Sequence, residues 1–154
     1  TVILDPQQPP QVTGVLDWEM ATLGEPLLDL GSALAYWIQE ADDALMKSSR
    51  RQPTHLKGML TRQQVVDYYL DKTGLQPENW AFYEVFGLFR LAVIAQQIYY
   101  RYYHQQTDNP AFKDFWILIH ALHIRALKLI AANNAEAQQL IPEYGAKLQD
   151  ILKR

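Results

Sequence analysis

The chain has 154 residues, of which 49% are hydrophobic and 20% charged, a composition typical of one folded domain rather than a disordered segment. The 14 basic and 17 acidic residues give a formal net charge of −3, which offers no electrostatic reason to expect nucleic acid or an anionic membrane as a partner. The absence of cysteine excludes disulfide scaffolds, thiolate metal sites and cysteine nucleophiles.

No targeting or membrane-spanning segment is predicted. The first residues lack the basic and apolar regions of a signal peptide. The longest nearly uncharged stretch, Phe86 to Tyr100, is shorter than the ~20 apolar residues that a spanning helix needs. We therefore expect a cytoplasmic protein with no membrane partner and no nucleic-acid partner.

The chain begins with two short apolar segments, residues 1–4 and 12–18. Between them, residues 5–10 contain three prolines and form a turn segment. This pattern predicts two short strands joined as an antiparallel hairpin. Because two strands alone are marginally stable in water, other elements must cover them.

The rest of the chain is predicted to be helical. Pro26 can begin a first helix, whose apolar positions keep helical spacing at Leu27, Leu30, Leu34, Trp37, Ile38 and Ala41. A polar, basic loop is expected from Lys47 to Gly58. Thr61 and Gln64 have the spacing of a capping box, and Gly74 should end the helix that they begin.

Three further helices are expected in the second half of the chain. They should begin at Pro77, Pro110 and Glu136, and Pro142 is expected to kink or split the last of them. The predicted fold class is mainly α with a small N-terminal β-hairpin. We interpret the chain as a single partial domain, with the hairpin over residues 1–19 and a helical subdomain over residues 20–154.

The second predicted strand ends in carboxylates. Asp17 follows an apolar run, where a charge costs free energy unless it is solvated, paired or bound to a metal. Carboxylate oxygens suit Mg²⁺, and Glu19, two residues on, would point to the same side of an extended chain. The alternative from spacing alone is that Asp17 only caps the turn into the next helix.

A longer pattern surrounds these carboxylates. Residues 15–19 read VLDWE and residues 21–30 read ATLGEPLLDL. This string resembles the aminoglycoside phosphotransferase family, the antibiotic-kinase and choline-kinase relatives of protein kinases. It is most similar to the subgroup linked to acyl-CoA dehydrogenases, which the later residues Thr61, Arg62, Tyr68, Gly74, Phe89 and Arg90 also fit. The resemblance implies the C-terminal helical lobe of a protein-kinase-like fold.

The resemblance also implies roles for three carboxylates. Asp17 matches the metal-binding aspartate, which holds the Mg²⁺ that bridges the phosphate oxygens of ATP. Glu19 would be a neighbouring acidic residue. Asp29 matches an aspartate that supports the catalytic loop by hydrogen bonding to its backbone. The alternative for Asp29 is a first-turn carboxylate that interacts with the helix dipole.

Other parts of the family's machinery are missing from the sequence. No nucleotide-binding glycine loop, phosphate-binding lysine or His-Gly-Asp catalytic loop is present. We expect the catalytic base upstream of Thr1, in a missing N-terminal lobe that would be a partner of this chain. The isolated fragment should be inactive and should bind neither Mg²⁺ nor ATP tightly, although the parent would use both. The alternative function is a non-catalytic helical scaffold or interaction module.

An acceptor site is expected among the aromatic residues of the long third helix. The run from Tyr99 to Tyr103 covers every side of a helix, so part of it must line a groove, an interface or a pocket. We assign Arg90, Tyr99 and Tyr103 to binding a small-molecule acceptor, an aminoglycoside or a hydroxyl-bearing acyl-CoA-like compound. The alternative is amphipathic packing. The surface left exposed by a missing lobe could also support a homo-oligomer.

Three weaker patterns are interpreted as structural. His120 and His123 share a helix face but lack a third ligand with helical spacing, so two solvated or hydrogen-bonded histidines are expected. The basic residues from Lys47 to Arg51 should be a solvated surface, or could contact an acidic substrate. Residues 42–43 should be a solvated helix end.

Overall fold

The computed structural model describes residues 2–8, 11–18, 21, 23–132 and 134–152. The predicted hairpin is present as strands β1 (Val2–Leu4) and β2 (Val12–Val15), paired antiparallel with Val2 opposite Val15. The second strand is shorter than predicted, because the chain leaves the extended conformation before Asp17, which has a φ of 78°. The apolar strand side chains, from Val2 to Val15, are 46–55% exposed, so the hairpin buries little apolar surface.

The rest of the described chain is helical, which confirms the predicted fold class. The helices are α1 (Pro26–Ala35), α2 (Ala44–Ser48), α3 (Arg62–Thr73), α4 (Trp80–Tyr103), α5 (Phe115–Ala131) and α6 (Ala135–Leu152), with a 3₁₀ turn at Pro110–Phe112.

Local capping chemistry sets several helix ends. The capping box of Thr61 and Gln64 is confirmed at the start of α3, and Gly74 ends this helix with a φ of 71°. Helix α4 begins after Asn79 rather than at Pro77, because the Asn79 side chain accepts a hydrogen bond from the amide of Ala81 at 3.1 Å. Residues 110–112 form a 3₁₀ turn instead of the predicted start of α5.

Three predicted features differ from the structure. Helix α1 ends at Ala35, although Ile38 beyond it is still buried. Helix α2 was not predicted and extends to Ser48, into the loop expected from Lys47; Asp43 caps it by accepting a hydrogen bond from the Met46 amide at 2.9 Å. Helix α6 continues through Pro142 instead of splitting there, and its packing on α5 stabilises it.

Helix α4 lies at the centre of the helical part, packed against α1 and α5, while α6 packs on α5. Leu88 of α4 and Leu122 of α5 are each 1% exposed and form the middle of the main core. A second buried cluster joins α1 to α3 through Leu27, Leu30, Leu34 and Val66.

Two glycines let the backbones of α1 and α4 touch. A Cβ added to Gly31 would lie 2.2 Å from the carbonyl oxygen of Tyr83, and one added to Gly87 would lie 2.1 Å from the carbonyl oxygen of Gly31. No side chain fits at either position without moving the helices apart.

Helix α4 has 24 residues, more than the apolar stretch predicted from the sequence. Among the described helices it alone is long and apolar enough to span a membrane, judged by length and composition only. Because α4 is also the central helix of the core, this is weak evidence for a membrane span.

Candidate functional site

Asp17 lies just beyond β2, in a left-handed backbone conformation with φ 78°. Next to it, the Trp18 indole donates a hydrogen bond to the carbonyl oxygen of Val15 at 2.7 Å, which folds the chain back on the strand end. The Asp17 side chain is exposed. The arrangement presents the carboxylate to solvent at the end of the hairpin.

The predicted pairing of Asp17 with Glu19 assumed an extended chain. That assumption does not hold at Asp17, because its φ is positive. Glu19 lies outside the described residues. Within the described part of the chain, no group of three or more acidic, histidine or cysteine residues could hold a metal ion. Asp17 therefore offers one carboxylate rather than a complete set of ligands.

Asp29 lies in the first turn of α1 and is exposed. The cap of this helix comes instead from Glu25, whose side chain accepts a hydrogen bond from the Leu27 amide at 3.4 Å. Asp29 is placed for the favourable interaction with the helix dipole, the alternative considered from the sequence. Its exposed carboxylate is also accessible to a further segment of backbone.

The structure brings together two of the three predicted acceptor-binding residues. The rings of Tyr99 and Tyr103 lie 6.2 Å apart between centroids. Arg90 lies nine residues earlier, which is about 14 Å along the axis and on the opposite side of the helix. Arg90 is exposed on the surface of α4.

The basic segment is only partly a free surface. Lys47 and Arg50 lie 3.1 and 3.8 Å from the Glu40 carboxylate, whose pKa is lowered first by the hydrogen bond from Lys47. Arg51 lies over the Phe115 ring, 5.8 Å from its centroid. Arg51 also borders an apolar cavity of about 220 Å³ between α1, α2, α4 and α5.

Two buried ion pairs were missed by the sequence interpretation. The expectation of a solvated helix end is wrong for Asp42, which binds Arg62 through two hydrogen bonds of 2.5 and 2.6 Å, with both side chains largely buried. Asp43 is exposed at the start of α2. Arg125 of α5 binds Glu84 of α4 at 3.0 Å. Arg125, a charged residue within the apolar sequence of α5, was the sequence signal from which the second pair could have been predicted.

His120 and His123 both contact Tyr144 of α6. The Nδ1 atom of His120 hydrogen-bonds to the Tyr144 hydroxyl, and the His123 ring lies 4.3 Å from the Tyr144 ring. Hydrogen-bonded histidines, rather than a metal pair, were the favoured interpretation. Burial, and then the nearby charge of His123, lower the pKa of His120, while burial raises the pKa of Tyr144.

The burial of His120 predicts that acid weakens the folded state. Because the folded environment favours neutral His120, the folded chain binds fewer protons than the unfolded chain as the pH falls from 7 to 5, and the free energy of unfolding decreases. Chemical denaturation at both pH values measures the effect. His120→Phe should reduce the change in the free energy of unfolding between pH 7 and pH 5. Tyr144→Phe should retain this pH dependence, and it should lower the free energy of unfolding by about 1 kcal/mol at both pH values. An unchanged slope in His120→Phe would contradict this origin.

Comparison with known proteins finds a family similarity in the N-terminal region. Residues 2–60, which include Asp17 and Asp29, match the model of the phosphotransferase enzyme family. Acyl-CoA dehydrogenase family member 10 of Mus musculus is 37% identical over 93 residues, 59% of this chain and 9% of that protein. Acyl-CoA dehydrogenase family member 11 of Rattus norvegicus is 34% identical over 95 residues, 60% of this chain and 12% of that protein.

These matches confirm the resemblance to the phosphotransferase family and to its acyl-CoA-dehydrogenase-linked subgroup. The family match covers residues 2–60, fewer than half of the chain. The hairpin followed by helices is consistent with the C-terminal helical lobe of a kinase-like fold. The chain spans about a tenth of the length of the curated relatives that it matches. No solved structure matches it significantly.

Proposed function

We propose that this chain is the metal-holding and acceptor-side part of an ATP-dependent phosphotransferase that acts on a small-molecule hydroxyl. The observation that carries the proposal is the position of Asp17. It lies within the segment that matches the phosphotransferase family, directly after β2, with an exposed carboxylate and a positive φ.

The conformation of Asp17 favours a functional role. A left-handed conformation costs an L-residue about 1–2 kcal/mol, although aspartate and asparagine adopt it more readily than most residues. Such conformations concentrate at functional sites, where the surrounding structure maintains them. These features fit a metal ligand better than a side chain that only caps a turn.

The chemistry of Asp17 fits one coordination position of Mg²⁺, which prefers carboxylate oxygens. In the parent protein, a bound Mg²⁺ would bridge the phosphate oxygens of ATP and neutralise charge during transfer. The remaining ligands, the base and the nucleotide-binding groups must come from other parts of that protein. The exposed carboxylate of Asp29 would support the neighbouring catalytic loop.

The acceptor that we propose is a hydroxyl-bearing acyl-CoA-like compound. Its support is the group of relatives, which are named as acyl-CoA dehydrogenase family members. The apolar cavity of about 220 Å³ beside Arg51 could hold an aliphatic segment. Of Lys47, Arg50 and Arg51, only Arg51 has no carboxylate of the described residues within 4 Å, so it could bind an acidic group.

Substitution of Asp17 in the full-length parent tests the metal role. Asp17→Ala should lower phosphate transfer at least about 10²-fold, because charge stabilisation in the transition state is lost. It should also remove the Mg²⁺-dependent increase in melting temperature that ATP produces, while circular dichroism stays unchanged. Asp71→Ala is the matched control, since Asp71 is an exposed carboxylate on α3. Full activity of Asp17→Ala would refute the proposal.

The scaffold alternative is tested separately. A kinase assay on the isolated chain should show no turnover, and clear turnover with any acceptor would contradict the need for groups outside it. The coding sequence upstream of Thr1 distinguishes the two functions. A His-Gly-Asp loop preceded by a nucleotide-binding lobe would support the phosphotransferase, whereas their absence from the natural gene would support a helical scaffold.

A further inference from the structure

Helices α4 and α5 expose a continuous apolar surface on the side of α4 away from α1. We define this α4–α5 face by Phe82, Phe89, Val93 and Ile130. Phe82 and Phe89 are 59% and 64% exposed, and Val93 and Ile130 are 39% and 41% exposed. Phe82, Phe89 and Val93 are spaced by seven and four residues, which places them on one side of α4. Their ring and methyl surfaces therefore form one patch rather than scattered contacts.

The face also contains a groove of about 500 Å³ between the two helices. Val85, Leu88, Phe89, Ala92, Val93, Gln96, Gln97, Ile119, Leu122, His123, Ala126, Leu127 and Ile130 line it. None of these described residues is an aspartate, glutamate, lysine or arginine. The groove thus offers apolar walls with three polar groups along its length and no fixed charge.

We infer that the α4–α5 face binds a second copy of this chain. The first reason is that the face carries both parts of a self-complementary contact, a projecting Phe89 ring and an apolar groove. In a two-fold symmetric dimer, the same patch on each copy meets the other, so each Phe89 can enter the partner's groove. A phenylalanine ring is among the side chains that contribute most to such contacts.

The second reason is the lack of charge. Two-fold symmetry brings each part of the patch near its own copy, so charged residues would place like charges together and oppose association. The lining of the groove contains no such residue within the described chain. An occupant chosen by charge, such as a basic or acidic peptide, would find no complementary group here.

The third reason is area. A half-exposed aromatic side chain leaves on the order of 100 Å² to be covered. With the groove walls and the polar rim, two copies would bury on the order of 1,000 Å² in total, which reaches the size of a specific but modest interface. We therefore expect a dimer that dissociates on dilution. This interface is independent of the phosphotransferase proposal, since Asp17 and the hairpin take no part in it.

Sedimentation equilibrium of the full chain, together with Phe89→Asp, tests the interface. The wild-type chain should show a concentration-dependent monomer–dimer equilibrium, and Phe89→Asp should weaken dimerisation at least about tenfold, because it places a charge in each groove. The matched control is Tyr68→Asp, an exposed aromatic residue on α3 that is 61% exposed and lies away from the face. Unchanged circular dichroism and melting temperature of the dilute monomer would show that each variant folds.

Cross-linking gives a second test that does not depend on weakening the dimer. Because the chain has no cysteine, a single Val93→Cys substitution can be cross-linked by a short bismaleimide only to another copy. It should give a dimer band, and Tyr68→Cys should not. A wild-type chain that stays monomeric at all concentrations would overturn the inference. So would dimers unaffected by Phe89→Asp, or a monomer that instead binds neutral phosphatidylcholine vesicles through this face.

Discussion

Replacing Gly87 by alanine is expected to lower the free energy of unfolding by about 3 kcal/mol, the upper part of the usual range for overpacking. The added Cβ would lie 2.1 Å from the carbonyl oxygen of Gly31 and 2.9 Å from the amide nitrogen of Ser32. Both atoms belong to the backbone of α1, so no side chain can rotate away. Relief requires the separation of α1 from α4, which would also loosen the core around Leu88.

Urea denaturation of Gly87→Ala and of Gly145→Ala measures this effect with a matched control. Gly145 is also helical, but an added Cβ there meets no atom within 4 Å. Gly145→Ala should leave stability unchanged or raise it by up to about 1 kcal/mol, because alanine favours helix. Gly31→Ala should lower the free energy of unfolding as much as Gly87→Ala does. The double variant should lower it by less than the sum of the two single effects. Wild-type stability of Gly87→Ala would show that the helices are not in backbone contact.

Breaking the buried ion pair of Asp42 and Arg62 should lower the free energy of unfolding about as much as Gly87→Ala does. Asp42→Ala is expected to cost about 3 kcal/mol, because it leaves the Arg62 guanidinium largely buried without its carboxylate and close to the charge of Arg125. Asp42 also accepts a hydrogen bond from the amide of Gln39 at 2.9 Å. The substitution therefore releases the segment between α1 and α2 as well as the start of α3.

A surface pair provides the control for this prediction. Glu40 is 70% exposed in its pair with Lys47, so Glu40→Ala should lower the free energy of unfolding far less than Asp42→Ala does. Thermal and urea denaturation of the two variants give the comparison. Equal effects of Asp42→Ala and Glu40→Ala would contradict the special role of the buried pair.

The same pair should make the fold sensitive to strong acid. Burial raises the pKa of Asp42, but the hydrogen bonds from Arg62 and Gln39 and the charge of Arg62 outweigh it, so the net pKa lies below the usual 3.8. The stabilisation is then fully present above about pH 4 and is lost as the pH falls through the lowered pKa. Stability measured from pH 5 to pH 2 should fall less steeply in Asp42→Asn than in the wild type.

The parts of the fold that depend on local chemistry were predictable. The capping box at Thr61, the stop at Gly74 and the hairpin follow from side chains near each other in sequence. Helix α2 is not predictable from the spacing of apolar residues, because a five-residue helix has almost no periodicity. The start of α4 differs from the predicted one because Asn79, two residues after Pro77, caps the helix.

The candidate site was predictable only in part. A carboxylate after an apolar strand, inside a long matching string, singled out Asp17, but its positive φ depends on the turn and could not be derived from the pattern. The burial of Asp42 depends on Arg62, 20 residues away, and the burial of Glu84 depends on Arg125, 41 residues away. Such pairings require the packing of α3, α4 and α5, which no local rule supplies.

The glycine contact between α1 and α4 also divides α4 into two parts with different freedom to evolve. Its N-terminal third is held at a fixed distance from α1, the helix that carries Asp29 and follows Asp17. The tyrosines at positions 99 and 103 lie about 18 Å or more beyond Gly87 along the helix. Under the proposed function, substitutions at this distal end would change the shape and polarity of the surface offered to an acceptor without shifting Asp29 on α1. Related proteins could then acquire new acceptors and keep the same metal site.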